Sequence, residues 1–136
     1  MDRLAILAAL ALALVLAVLM ARGWARARTR RVAATPAGDL WQALGTSPDG
    51  RPTIVAFKGP ACRECTVQAR EIEHLGEPGV RILELDASDR EDVARTFGVL
   101  TVPTTVVLDG GGRVEAVNHG LAQRATLSAQ LARANR

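Results

Sequence analysis

Apolar residues follow two different patterns along the chain. Leu4–Ala21 is an unbroken apolar run of eighteen residues, and as a helix it would reach about 27 Å, close to the hydrocarbon thickness of a bilayer. Beyond it, short apolar runs alternate with polar stretches at the spacings of strands and amphipathic helices. Val32–Gly38 reads as a linker or short edge strand, broken by Pro36 and Gly38. Asp39 can cap a brief helix carrying Leu40, Trp41 and Leu44. Thr53–Phe57 is a continuous apolar run suited to a strand buried on both faces. Val67, Ile72 and Leu75 recur at roughly helical spacing and predict a helix from near Cys62 to about Leu75. Val80–Leu85 predicts a second strand with Val80, Ile82 and Leu85 inward. Ser88 and Glu91 then form a capping box, opening a helix that ends at Gly98. Thr104–Leu108 and Arg113–Asn118 flank the turn Asp109–Gly112 as a hairpin, and Gln123–Ala134 closes the chain as a helix with Leu127 and Leu131 one turn apart.

This order predicts an α/β fold, a central mixed β-sheet with helices on both faces, preceded by one N-terminal transmembrane helix. Two right-handed crossovers would make the first three strands parallel, and the hairpin would add an antiparallel edge. The expected divisions are an N-terminal flank at 1–3, a membrane anchor at 4–21, a basic juxtamembrane segment and linker at 22–38, and a globular domain at 39–136.

Charge refines this division. The whole chain is basic, with a pI of 9.6, but Arg22, Arg26, Arg28, Arg30 and Arg31 crowd directly behind the apolar run. From Val32 onward eleven basic residues face thirteen acidic ones, a balance of −2. A nucleic-acid partner would need a basic stripe on the folded domain itself, so that class is excluded. The arginine collar, with Trp24 at headgroup depth, fits an uncleaved signal anchor, although Ala25–Arg26–Ala27 resembles a cleavage site. Arginine asymmetry favours a cytoplasmic domain, and export of the domain is the alternative. Aromatics make up only 3% of the chain, so the core must be built from Val, Ile, Leu and Ala.

Only two cysteines are present, Cys62 and Cys65. A lone Cys-x-x-Cys can be half a zinc site, an incidental pair or a redox dithiol. Tetrahedral zinc needs four ligands, and His74 and His119 are not spaced to complete the set, so no metal and no cofactor is expected. Context favours redox chemistry. Cys62 falls where a buried strand gives way to a helix, so unpaired N–H groups and the positive end of the helix dipole stabilise its thiolate, and Arg63 adds a fixed positive charge. Cys65 lies one turn further in. Cys62 is thus the expected nucleophile, and Cys65 the resolving thiol.

These residues carry a family resemblance. Ile54–Val55–Ala56–Phe57, followed by Ala61–Cys62–Arg63–Glu64–Cys65, resembles the active-site segment of the thioredoxin family. Phe97–Gly98–Val99–Leu100–Thr101–Val102–Pro103–Thr104–Thr105 is similar to that family's second signature. The resemblance covers roughly Val32–Ala134. It implies a cis Pro103 packed against the cysteine pair, and a Val102 backbone that receives an extended substrate chain. The chain also departs from the family pattern. Ala61 stands in place of Trp, Arg63–Glu64 in place of Gly-Pro, and Arg70 in place of the helix-kinking proline. Ala56 takes the place of a buried Asp, and Ile82 that of its lysine neighbour. Glu64 and Lys58, the only lysine among sixteen arginines, are therefore candidate modulators of proton or charge at the site.

The function expected from these features is membrane-tethered thiol–disulfide exchange with protein disulfide substrates, recharged by a thiol electron donor such as a reductase. Two alternatives stand beside it. One is an exported thioredoxin-like reductase for cytochrome maturation or envelope proteins, against which the short spacing from Cys65 to Pro103 counts. The other is a non-catalytic adaptor of the same fold, against which both retained cysteines count.

Overall fold

The computed structural model describes residues Asp2–Arg136. They form two compact units, one ending at Arg31 and the other spanning Val32–Arg136.

The first unit is the part of one helix that ends at Arg31, and the helix itself runs on to Ala34. Helix α1 (Asp2–Ala34) contains an eighteen-residue stretch with a mean hydropathy of 3.0, none of it buried, which is long and apolar enough to cross a membrane. The Arg28 guanidinium lies 5.6 Å from the centre of the Trp24 ring, a cation–π arrangement on the basic last turns.

The second unit is a four-stranded sheet between two helical layers. Its elements are α2 (Ala37–Leu44), β1 (Thr53–Lys58), α3 (Arg63–Glu73), β2 (Arg81–Asp86), α4 (Glu91–Thr96), β3 (Thr104–Leu108), β4 (Val114–His119) and α5 (Arg124–Ala134). The strand order is β2-β1-β3-β4. The inner strands are β1, which reads as a continuous apolar run, and β3; β1 up to Phe57 and all of β3 are buried. One face packs Leu40, Trp41, Val93 and Phe97 from the α2 and α4 side on Val55, Phe57, Val106 and Leu108. The other packs Ile72, Leu127, Leu131 and Ala134 from α3 and α5 on Ile54, Ala56 and Val107. Each fully buried Leu, Ile or Phe contributes about 1.5–3 kcal/mol of transfer free energy.

Several sequence expectations are corrected here. Strand β1 is parallel to β2 but antiparallel to β3, so the first three strands are not all parallel. The chain re-enters the sheet at the end where β2 stopped: β3 begins at Thr104, whose register partner Phe57 stands beside Leu85 near the end of β2.

Ile82 points outward at 44% exposure, while Leu83 and Leu85 pack on the core. Strand alternation allows only one parity inside, and Ile82 and Leu85 have opposite parity. Val67 is likewise exposed, and the inner stripe of α3 is Gln68 and Ile72. The Ser88–Glu91 capping box does not form. The Ser88 amide and hydroxyl both donate to Asp86 Oδ1, and α4 begins after Arg90 without a side-chain cap. The segment read as a linker is largely helical, since α1 runs to Ala34 and α2 starts at Ala37. Pro36 separates the two because the residue before a proline avoids helical dihedrals, and its own fixed φ suits the entry to the next helix. Gly38 sits in the first turn of α2, where no intrahelical N–H bond is at stake.

Candidate active site

The site grows out of the end of β1. After Lys58 the chain passes through Gly59–Pro60–Ala61 and enters α3 at Cys62. Gly59 lies so close to Val102 that a Cβ there would come within 3.1 Å of a Val102 methyl group. Ala61 has φ of 52°, in the left-handed region that alanine enters at a cost of about 1–2 kcal/mol. This turn swings the chain so that Cys62 becomes the N-cap of α3, with its Sγ accepting a hydrogen bond from the Cys65 amide at 3.2 Å. A side chain at that position meets unpaired N–H groups and the positive end of the helix dipole, both of which favour a thiolate.

Cys62 and Cys65 are joined as a disulfide, with their Cα atoms 5.2 Å apart. Both residues are half-buried. They open onto a cavity of about 580 Å³ whose wall also includes Lys58, Arg63, Glu84 and Pro103. The Val102–Pro103 peptide is cis. The Pro103 carbonyl accepts a 2.9 Å hydrogen bond from the Gly120 amide, and the Thr104 hydroxyl donates to the Thr101 carbonyl at 2.7 Å. These bonds fix the loop between α4 and β3 opposite the cysteines. Pro103 is buried and Val102 half-buried.

The structure thus brings Cys62, Cys65, Arg63, Lys58 and Pro103 to one cavity, with Val102 beside Gly59. Glu64 is exposed in the first turn of α3 and does not line the cavity. Among the described residues no group of three or more His, Cys, Asp and Glu side chains could hold a metal.

Sequence reasoning missed two residues. Glu84, not Ile82, is the register partner of Ala56, and its carboxylate lies 3.4 Å from Lys58 Nζ on the rim of the cavity. The alternation Leu83–Glu84–Leu85 carries the signal, since a charge between two inward leucines must face the other side of the sheet. Gln68 is the second. It is 2% exposed, and it clamps α3 to the chain ahead of α5. Its Nε2 donates to the Ala122 carbonyl at 3.0 Å, and its Oε1 accepts from the Ala122 amide at 2.7 Å. A polar residue four positions before Ile72, on the helix stripe that faces the core, was the available signal.

A continuous row of side chains crosses the sheet on the α3 and α5 face. Glu84, Ala56, Thr105 and Asn118 are successive register partners. Asn118 donates to Thr105 Oγ1 and exchanges two hydrogen bonds with Gln130 of α5. The buried part of this row is neutral and hydrogen-bonded, and its charged member is at the cavity end.

Comparison with known proteins agrees with this geometry. No family model matches the chain. The chain is 28% identical to a thioredoxin of Synechocystis over 83 residues, covering 59% of this chain and 77% of that protein. It is 26% identical to thioredoxin 1 of Nostoc over the same length and coverage. Among solved structures, thioredoxin of Fasciola hepatica superposes with a TM-score of 0.59 at 25% identity, covering 73% of this chain and 94% of that one. A mutant thioredoxin of Halobacterium salinarum gives 0.59 at 21% identity, covering 65% of this chain and 79% of that one. Taken with the Cys62–Cys65 pair and the mixed sheet that carries it, these likenesses show a thioredoxin-like chain with the features of a thiol–disulfide oxidoreductase.

Proposed function

We propose that the protein is a membrane-tethered oxidoreductase that exchanges disulfides with protein substrates through Cys62 and Cys65, anchored by the apolar part of α1. The observation that carries the reading is the position of the cysteine pair. It sits at the N-terminus of α3 and opens onto a cavity faced by the Val102–Pro103 loop. The anchor is supported by the unburied apolar stretch of α1, and the arginine collar that follows it favours a domain on the cytoplasmic side.

In the reducing direction, the Cys62 thiolate attacks one sulfur of a substrate disulfide. A Cys62–substrate disulfide forms, and the other substrate sulfur leaves as a thiolate that takes a proton from solvent. Cys65 then loses its proton and attacks Cys62 Sγ. The Cys62–Cys65 disulfide forms, the bond to substrate breaks, and two electrons have passed to the substrate. An external dithiol of reductase type resets the pair by the reverse sequence. The substrate chain lies extended along Val102, whose backbone offers it the hydrogen bonds of an added strand. Pro103 shapes the wall against the cysteines, and Arg63 supports the thiolate of Cys62 by its charge.

The test is a redox titration of the full chain in detergent micelles across glutathione buffers, read by the mass added on alkylation. One two-electron transition confined to Cys62 and Cys65 is expected. In the Cys65→Ser variant, a stable mixed disulfide should accumulate at Cys62. Absence of an internal disulfide at every poise would overturn the reading in favour of an adaptor.

A further inference from the structure

We infer that Glu84 is the proton acceptor for the resolving thiol Cys65, acting through a water in the cavity, and that Lys58 positions it. The inference rests on the exchange mechanism proposed above. That mechanism requires the Cys65 thiol to lose a proton while Cys62 is still bound to substrate. The charged side chains that line the cavity beside the cysteines are Lys58, Arg63 and Glu84. Ammonium and guanidinium groups carry no acceptor lone pair, whereas a carboxylate is an acceptor only. Glu84 is therefore the one ionic group on this wall that can receive the proton.

Its placement is set by the fold. Parallel pairing puts Glu84 beside Ala56, and Ala56 itself lines the cavity. Ala56 cannot take a proton, and its small side chain leaves that part of the wall low. The Lys58 ammonium, two residues on and facing the same side, holds the Glu84 carboxylate at 3.4 Å. Both side chains are about half exposed, at 48% for Glu84 and 54% for Lys58, so protons pass readily to and from solvent. Around Glu84 the charged and titratable groups are Lys58 on β1, Asp86 on its own strand, Arg63 on α3, and the two cysteines. Thr105, Asn118 and Gln130, further along the row, are neutral. Glu64 lies off the cavity wall and does not fill this role.

The step balances as follows. Cys65 Sγ–H gives its proton to the water and the water gives one to Glu84. The thiolate forms the Cys65–Cys62 bond while the Cys62–substrate bond breaks. The departing substrate thiolate is protonated from Glu84 or solvent, and the carboxylate is regenerated.

The reduced full chain, in detergent micelles, is mixed rapidly with one equivalent of 5,5′-dithiobis(2-nitrobenzoate). The first thionitrobenzoate released reports attack by Cys62, and the second reports resolution by Cys65. Because thionitrobenzoate leaves without needing a proton, the second phase isolates deprotonation of Cys65. Glu84→Gln should slow that phase about tenfold at pH 7, a modest value for an exposed general base. The deficit should close above about pH 9, where a thiol ionises unaided. The first phase should be unchanged or slightly faster, and Glu84→Asp should restore part of the second. A second phase that is unaffected at every pH, slowed equally at every pH, or accelerated at pH 7 overturns the role of Glu84. Acceleration would mark Glu84 as a charge that merely opposes the thiolate. Failure of the first phase in the unmodified chain, by contrast, would overturn the exchange mechanism, and this inference with it.

Discussion

Replacement of Gln68 should cost the domain much stability for little change in shape. Methionine has nearly the same length and unbranched form, so Gln68→Met leaves packing around the α3 stripe close to intact and removes only the hydrogen bonds. Two bonds are lost, from Nε2 to the Ala122 carbonyl and from the Ala122 amide to Oε1. Both partners are backbone groups of a residue only 5% exposed, and water does not readily replace what is taken away. Each buried group left unpaired costs about 1–3 kcal/mol. Burial of the thioether in place of the amide offsets part of that, so the expected net loss is about 3 kcal/mol. For a domain of about a hundred residues, holding about 5–15 kcal/mol in all, this lowers the melting temperature by about 15 °C. The assay is urea unfolding of the oxidised full chain in detergent, followed by the fluorescence of the buried Trp41 in a Trp24→Phe background. The midpoint should fall while the slope stays constant, because the surface exposed on unfolding is unchanged. A loss below about 1 kcal/mol would refute the reasoning, since it would mean that Ala122 finds other partners without structural cost.

Gly112→Ala should destabilise the domain by about 3 kcal/mol, measured by the same unfolding assay. Gly112 has φ of +87°, and a Cβ there would fall on the Trp41 indole nitrogen, whose N–H donates to the Gly112 carbonyl at 3.0 Å. Asp86 governs part of the acid limb of stability. The Ser88 hydroxyl above all, then backbone amides and the Lys58 charge, lowers its pKa from the usual carboxylate value. A carboxyl group whose pKa is lower in the folded state stabilises the fold above its unfolded pKa and ceases to do so as pH falls through the folded one. Stability should therefore decline below about pH 4, and Ser88→Ala should raise the Asp86 midpoint and flatten that decline, as followed by carboxyl-carbon NMR titration.

The parts of this molecule legible in the sequence were those fixed by local chemistry. A continuous apolar run names a central strand because both of its faces must leave water, and Thr53–Phe57 was legible as β1 on that ground, while the Asp109–Gly112 turn marked Thr104–Leu108 as a hairpin strand. The cysteine pair named its own place, since a strand followed by Gly-Pro and then a helix puts Cys62 at a helix N-terminus whatever surrounds it. Direction and register were not legible, because they depend on which edge and which end of the sheet the chain re-enters, and no local pattern encodes that. Register in turn decides the chemistry. Alignment by motif gives Ala56 the neighbour Ile82 and leaves the site without a carboxylate. Pairing in three dimensions places Glu84 there instead, two residues along a strand whose alternation already required it to face the α3 side of the sheet. A strand neighbour is set by hydrogen-bond register and not by distance along a motif, so a group missing from one strand of this site can be supplied from the next.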